Sequence, residues 1–123
     1  MRNYPQSHLI KADAYSVMFA WGLFVVTALL FVAGNVLSAP ISNVALGISF
    51  FAFTGAAALH VALALSHSCP SCGKHPTVQG FRPIHQNAVP ASGVSGWARV
   101  IWSTLRERKF VCIHCGEAWR VTA

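Results

Sequence analysis

Two long apolar stretches dominate the hydrophobic pattern, and no Asp, Glu, Lys or Arg lies between Asp13 and Lys74. The stretches cover residues 14–37 and 44–65, and each exceeds the roughly 20 residues that a helix needs to cross the hydrocarbon core of a bilayer. The segment between them, SAPISN, consists largely of residues that favour turns and helix caps. The pattern therefore predicts a hairpin of two transmembrane helices, with the membrane unit over residues 14–67.

A cleaved signal peptide is the alternative explanation for the first stretch. Its apolar core would span only about 7–15 residues, whereas the stretch here is longer and a second one follows it closely. We therefore expect both spans to be retained. The charged fraction of 10% agrees with a membrane protein, since soluble domains carry about 25%.

The basic residues predict the orientation of the hairpin. Arg2 and Lys11 precede the first span, Lys74 and Arg82 follow the second, and the connecting segment has no Lys or Arg. Because an excess of Lys and Arg marks the cytoplasmic ends of spans, both termini are expected in the cytoplasm, with residues 1–13 as an N-terminal cytoplasmic segment. The expected location is the plasma (inner) membrane of a prokaryote.

The four cysteines form two Cys-x-x-Cys-Gly motifs. Two residues between cysteines let one tight turn direct both sulfurs to a single ion, and Zn²⁺ favours four such ligands in a tetrahedron. A disulfide is disfavoured in a reducing cytoplasm, and a thioredoxin-like redox pair would need a βαβ unit for which the chain has no room. We therefore expect a structural Zn²⁺, with iron as the less favoured metal. The predicted ligands are Cys69, Cys72, Cys112 and Cys115.

The segments CPSCGK and CIHCGE resemble the two metal-binding knuckles of zinc-ribbon proteins, whose turns are similar to those of rubredoxin. The resemblance covers residues 68 to about 121 and implies that the same four cysteines are the ligands. It also implies short strands at RKFVC and EAWRV, with Phe110 and Trp119 in the core. Residues 73–111 separate the two pairs by more than ribbons usually need, so an insertion is expected. The expected fold is an all-α transmembrane hairpin followed by a small cytoplasmic zinc-ribbon-like module over residues 68–123.

The inserted segment contains a loop and a predicted amphipathic helix. Residues 75–96 are rich in Pro, Gly, Ser and Asn, which is typical of a loop, whereas residues 97–108 place apolar side chains on one side of a helix. Beside a bilayer, this helix could lie in the interface against anionic headgroups, pack on its own module, or contact a partner. The candidate contact residues are Trp97, Arg99, Ile101, Trp102, Leu105, Arg106 and Arg108.

His60 lies within the second predicted span. An ionisable side chain at this depth is a functional candidate, because imidazole can carry protons, bind ligands or coordinate metals; a neutral histidine bonded to a neighbouring helix is the structural alternative. The same span is rich in Ala and Gly, with small residues four positions apart, which lets helices approach closely. We therefore expect assembly with itself or with other membrane subunits.

No catalytic site is predicted, and we expect a protein that is not an enzyme. Asp13, Glu107 and Glu117 are the only carboxylates, none has an acid–base partner nearby in sequence, and four thiolates close a metal site to substrate. The sequence favours a small integral-membrane accessory or scaffold subunit whose zinc module mediates protein interaction. The alternatives are a homo-oligomeric pore or transport component with His60 in its pathway, and a membrane-tethered nucleic-acid-binding zinc ribbon. The net charge of +6 permits the last, but the basic residues already serve to set topology, so nucleic acid is the least favoured partner.

Overall fold

A computed structural model describes residues 1–122 of the chain, and Ala123, the last residue of the predicted module, lies outside the described residues. The described part contains three helices and three short strands, and a 3₁₀ turn at Gln86–Ala88 lies within the inserted loop. In chain order the elements are β1 (Arg2–Asn3), α1 (Ser7–Asn35), α2 (Asn43–Ser66), α3 (Trp97–Glu107), β2 (Lys109–Val111) and β3 (Ala118–Arg120).

The helices α1 and α2 pack against each other as a hairpin. The hydroxyl of Ser42 caps α2 by accepting a hydrogen bond from the Val44 amide at 3.1 Å. Both helices are long and apolar enough to cross a membrane. Only 11% and 17% of their most apolar segments are buried, which separates them from the core helices of a soluble protein. The predicted helical hairpin is therefore confirmed as a structural unit.

Helix α1 begins at Ser7, seven residues before the predicted span. Its buried residues, from Ser7 to Ala20, recur at intervals of three or four and so form one stripe along the first half of the helix. This stripe faces α2 and the cysteine-bearing module, while the apolar side chains that follow are mostly exposed. The first half of α1 therefore joins the hairpin to the module.

The module is built on a three-stranded sheet in the order β1–β3–β2. Strands β2 and β3 are antiparallel and pair Phe110 with Trp119, and both side chains are almost fully buried, at 1% and 3% exposed. The two predicted strands and their predicted core residues are thus confirmed. The third strand, β1, was not anticipated: it pairs in parallel with β3 and places Arg2 beside Trp119.

Tyr4 fixes the N-terminal segment in the core of the module. Its amide donates to the Arg120 carbonyl at 2.8 Å, and its ring packs edge-on against Phe110 and Trp119 at centroid distances of 5.1 and 6.0 Å. Both ends of the chain therefore meet in one sheet, on the same side of the hairpin.

We expect Tyr4→Ala to lower the free energy of unfolding of the module by about 3–5 kcal/mol, because it removes an aromatic side chain from a filled core. Tyr4→Phe is the control: it keeps the ring and loses only the hydroxyl, which donates to the Ser68 carbonyl at 2.9 Å, and should cost about 1 kcal/mol. Urea unfolding of the detergent-solubilised protein, followed by tryptophan fluorescence, measures both. Equal stability of Tyr4→Ala and the unmodified chain would show that the N-terminal segment is not in the core.

Helix α3 is amphipathic, as predicted, and lies between the sheet and α1. Val100 belongs to the core of the module, and Ile101 packs against Ala14 and Val17 of α1. The buried face also includes Ser103, whose hydroxyl donates to the Arg99 carbonyl at 2.8 Å and so needs no outside partner. This face fixes the module against the hairpin.

Candidate metal centre

The four cysteine sulfurs converge on one point. Sγ of Cys69 lies 3.7 Å from that of Cys115, Sγ of Cys72 lies 3.8 Å from that of Cys112, and all four lie within 4.8 Å of one another. A tetrahedron with metal–sulfur bonds of about 2.3 Å has edges of about 3.8 Å, so the sulfurs are spaced for one ion. A disulfide would bring two sulfurs to about 2.05 Å, and all four cysteines are free. The predicted ligands therefore form a site that could hold a metal ion.

The two Cys-x-x-Cys-Gly turns have the same backbone hydrogen bonds. In the first, the Gly73 amide donates to the Cys69 carbonyl at 2.7 Å; in the second, the Gly116 amide donates to the Cys112 carbonyl at 2.9 Å. Both glycines have positive φ, +70° and +74°, a region that glycine enters without a steric penalty. Glycine as the fifth residue of each motif therefore permits the left-handed backbone that both turns adopt.

Backbone amides in the turns point at the sulfurs and influence their ionisation. Burial opposes ionisation of Cys69, but hydrogen bonds from the backbone of Ser71 and Cys72 and from the neighbouring thiols outweigh it, so the pKa of Cys69 lies below its usual value. Burial raises the pKa of Cys112, and the charge of Cys69 raises it further. Four thiolates repel one another in this volume, so full ionisation requires a cation at the centre, as a bound metal would provide.

Hydrogen bonds from three histidines hold the inserted loop close to the cysteines. The Nε2–H of His114 is shared between the carbonyls of His75 and Val78, at 3.1 and 2.9 Å, and the Nδ1–H of His75 donates to the His67 carbonyl at 2.7 Å. The amide of His85 donates to the Ile113 carbonyl at 2.8 Å, which fixes the inserted loop to the second turn. These histidines hold the loop around the site, and the four cysteines alone supply the convergent ligand atoms.

We expect Gly116→Ala to destabilise the module more than Gly73→Ala. Both positions have positive φ, which costs a residue with a Cβ about 1–2 kcal/mol, but a Cβ at Gly116 would also overlap the His85 ring, whereas one at Gly73 meets nothing within 4 Å. Thermal unfolding measures the difference between the two variants: because of the overlap, Gly116→Ala should lose about 1–3 kcal/mol more of the free energy of unfolding than Gly73→Ala. Equal losses would mean that the His85 ring does not cover the second turn.

A second polar cluster lies between the hairpin and the module and centres on Asp13. This carboxylate is 0% exposed and accepts hydrogen bonds from His60 Nδ1–H at 2.5 Å and from His67 Nε2–H at 3.1 Å. His67 is also buried, and its Nδ1 lies 3.3 Å from the hydroxyl of Tyr4. The cluster thus joins α1, α2 and the N-terminal segment.

The sequence points to His60 but not to its partner, Asp13. Asp13 lies 47 residues from His60 and 54 from His67 in the sequence, so no local pattern pairs them. A carboxylate at the end of an apolar span, followed by a histidine within the next span, was the available signal. Within residues 1–122, the cysteines are the only group of three or more His, Cys, Asp or Glu whose ligand atoms all lie within 4.8 Å. The Asp13 cluster is a bridge made by two hydrogen bonds.

The candidate contact residues of α3 divide between the two faces of the helix. Ile101 is buried, and Trp97 and Leu105 are half-buried against α1. Trp102, grouped with the apolar face by the sequence pattern, is 46% exposed, and the Arg106 guanidinium lies over its ring at 5.7 Å from the centroid. Arg108 is exposed at the end of the helix, and Arg99 lies 3.7 Å from Glu107. The outer face of α3 is therefore cationic and carries one exposed tryptophan.

Comparisons with protein-family models, with curated proteins and with solved structures find no match for this chain. The resemblance to zinc ribbons is therefore limited to the cysteine motifs and the short strands beside them. The features that bear on function are a four-cysteine site and two apolar helices, with a buried polar cluster between the helices and the module.

Proposed function

We propose that this protein is a small integral-membrane accessory subunit whose zinc-bound module presents a protein-binding surface beside the cytoplasmic face of the membrane. The observation that carries the proposal is the attachment of the module to the hairpin. Asp13 of α1 binds His67 at the exit from α2, and Ile101 of α3 packs on α1. A module fixed in this way keeps one orientation relative to the hairpin. A fixed orientation favours a surface that binds a partner beside the membrane over a domain that moves freely on a flexible linker.

Membrane insertion is supported by the exposed apolar side chains of both helices. Phe19, Trp21, Phe31 and Phe51 are each at least 55% exposed, and water would not favour so much aromatic surface. The two chain ends share one sheet, which supports a topology with both ends on one side of the bilayer, and the distribution of Lys and Arg favours the cytoplasmic side. The plasma membrane of a prokaryote remains the favoured location.

Zinc is the proposed metal because four thiolates in a tetrahedron form a closed structural site. The closed site leaves no coordination position for a substrate, so we assign the ion a structural role. Its ligands connect the segment that follows α2 to the segment that precedes β3, and metal binding would therefore hold the inserted loop and α3 in place.

The accessory role predicts a stoichiometric assembly. Native mass spectrometry of the full chain, extracted from its own membranes in mild detergent, should detect a complex with a second membrane protein or with further copies of this chain. Removing the metal with a chelator should dissociate a partner that binds the module and leave the hairpin helical. A monomer without partners at high protein concentration contradicts the proposal.

A pore lined by His60 is the alternative, and the hydrogen bonds of His60 weigh against it. The Nδ1 of His60 is committed to Asp13 of its own chain at 2.5 Å, and its ring lies beside Trp97 of the module, with centroids 6.1 Å apart. These contacts favour a role inside one protomer over a role in a path between protomers.

A further inference from the structure

We propose that a turn of the inserted loop, residues 78–82, binds the headgroup of an anionic phospholipid, with the ring of Phe81 inserted at the boundary of the acyl chains. The inference rests on membrane insertion of the hairpin, as proposed above, and does not depend on the accessory role. We call this segment the Phe81 turn. It would be a lipid contact made by the module in addition to those of the two spans.

The fold holds the Phe81 turn in place with its aromatic ring exposed. The side chain of Phe81 is fully exposed, although the turn that carries it is fixed. The Nε2–H of His114 donates to the Val78 carbonyl at 2.9 Å, and the side-chain oxygen of Gln79 lies where a Cβ on Gly96 would be. The turn therefore presents the ring outward in one orientation.

The Phe81 turn lies beside the last turns of α2. The cleft between the two segments, of about 570 Å³, is lined by residues of both, among them Val61, Ala64, Leu65, Val78, Gln79 and Gly80. Val61 and Leu65 are 54% and 55% exposed, and Val78 is 39% exposed. Phe81 is thus next to an apolar surface shared by the turn and the end of α2, and is not an isolated surface residue.

This part of α2 lies at the expected depth of the lipid headgroups. Leu65 is the last apolar residue of the helix, and Val61 lies about 6 Å from it along the helix axis, at 1.5 Å per residue. The headgroup layer is about 5–8 Å thick on each side of the hydrocarbon core. Apolar side chains of interfacial segments are inserted to about this depth, at the boundary between headgroups and acyl chains. The surface that includes the Phe81 turn therefore faces lipid when the hairpin is inserted.

Two cations without acidic partners flank the ring. Lys74 and Arg82 line a shallow cleft of about 390 Å³ together with Phe81 and His114. Both are exposed, and neither makes a salt bridge within residues 1–122. Basic side chains at this depth attract anionic lipids. An acidic peptide would meet the same charges, but the position beside the end of α2 favours a lipid, because headgroups surround an inserted span at that level.

The test is photo-crosslinking from position 81. The full, metal-loaded chain, with a photoreactive residue in place of Phe81, is reconstituted in nanodiscs of equal parts phosphatidylglycerol and phosphatidylcholine and irradiated. Mass spectrometry of the intact chain should detect a covalent phospholipid adduct. Val89 is the matched control position: it lies in the same loop and is 53% exposed, but the cleft that it lines contains no residue of α1 or α2, so it should form no lipid adduct.

A photoreactive residue in place of Phe51 separates failure of this inference from failure of membrane insertion. Phe51 is 75% exposed within α2 and should form lipid adducts whenever the hairpin is inserted. Adducts from position 51 but not from position 81 would overturn the proposal and leave the spans in place, as would crosslinks from position 81 to protein alone. No adduct from either position would reject membrane insertion together with the proposal.

The role of the two cations is tested in the same nanodiscs. Position 81 should form more adducts with phosphatidylglycerol than with phosphatidylcholine, and Lys74→Gln and Arg82→Gln should each lower this ratio about fivefold, which corresponds to about 1 kcal/mol for one charge near an anionic surface. Arg108→Gln is the control, because Arg108 is exposed and does not line the cleft, and it should leave the ratio unchanged. Equal labelling of the two lipids, or an equal effect of Arg108→Gln, would contradict headgroup binding by Lys74 and Arg82.

Discussion

Cys112→Ser is expected to empty the metal site and unfold the module. Cys112 is fully buried and its Sγ lies 3.8 Å from that of Cys72, and structural zinc sites contribute about 10–16 kcal/mol of apparent binding free energy in zinc-finger peptides. That energy is comparable with the whole stability of a small domain, about 5–15 kcal/mol. Loss of one thiolate should therefore remove most of the ordered structure in residues 68–122, while α1 and α2 remain helical by circular dichroism.

The measurement is metal retained after dialysis against a chelator that leaves the unmodified protein loaded, together with proteolysis of the loop at residues 75–96. Ser71→Ala is the matched control: it lies in the other turn of the same metal site, is exposed, and keeps the backbone amide that hydrogen-bonds Cys69. A Cys112→Ser protein that keeps its metal and its resistance to protease would contradict a four-thiolate site.

Asp13→Leu is expected to detach the module from the hairpin. The carboxylate is completely buried and binds two histidines, and breaking a buried pair by removing one partner costs about 3–5 kcal/mol. His67 would lose its acceptor in a place from which water is excluded, whereas His60, with a side chain that is 23% exposed, would lose the acceptor of its Nδ1–H. Asp13→Asn should cost less, about 1–3 kcal/mol, because the amide oxygen still accepts one hydrogen bond.

Docking of the module is measured by cross-linking between α3 and α1, with a photoreactive residue in place of Ile101. The cross-link to α1 should disappear in Asp13→Leu and persist in the control Glu107→Ala. Glu107 is a surface carboxylate, 3.1 Å from the Lys109 ammonium, and exposed pairs of this kind contribute about 0–1 kcal/mol. An intact cross-link in Asp13→Leu would show that the buried cluster does not hold the two parts together.

The sequence predicts the elements whose pattern is local. Apolar length identifies α1 and α2, the recurrence of apolar side chains every three or four residues identifies α3, and the Cys-x-x-Cys-Gly spacing identifies both turns of the metal site. The ends of α1 are less well predicted: the helix starts at Ser7, because the segment before the apolar stretch contributes a buried stripe that hydropathy alone does not reveal.

The features that the sequence does not predict depend on contacts between distant residues. Strand β1 has only two residues, too few to show a periodic pattern in the sequence. It forms because β3 has a free edge with which it can pair and because Tyr4, which follows it, packs against Phe110 and Trp119. Asp13 of α1 and His60 of α2 form a hydrogen bond because the hairpin places them side by side at the same height along the two helices. Trp102 turns outward because Val100, Ile101 and Ser103 occupy the buried face of α3. In each case the partner is set by the fold and not by neighbours in sequence.

One metal ion, bound by four thiolates, is expected to hold the module in shape against the hairpin. The most direct test is the metal content of the unmodified, full-length protein purified from membranes, measured by inductively coupled plasma mass spectrometry against protein concentration from amino-acid analysis. We predict about one zinc ion per chain, in keeping with a closed four-thiolate site. Less than about half an equivalent of zinc, with no iron in its place, would contradict the account.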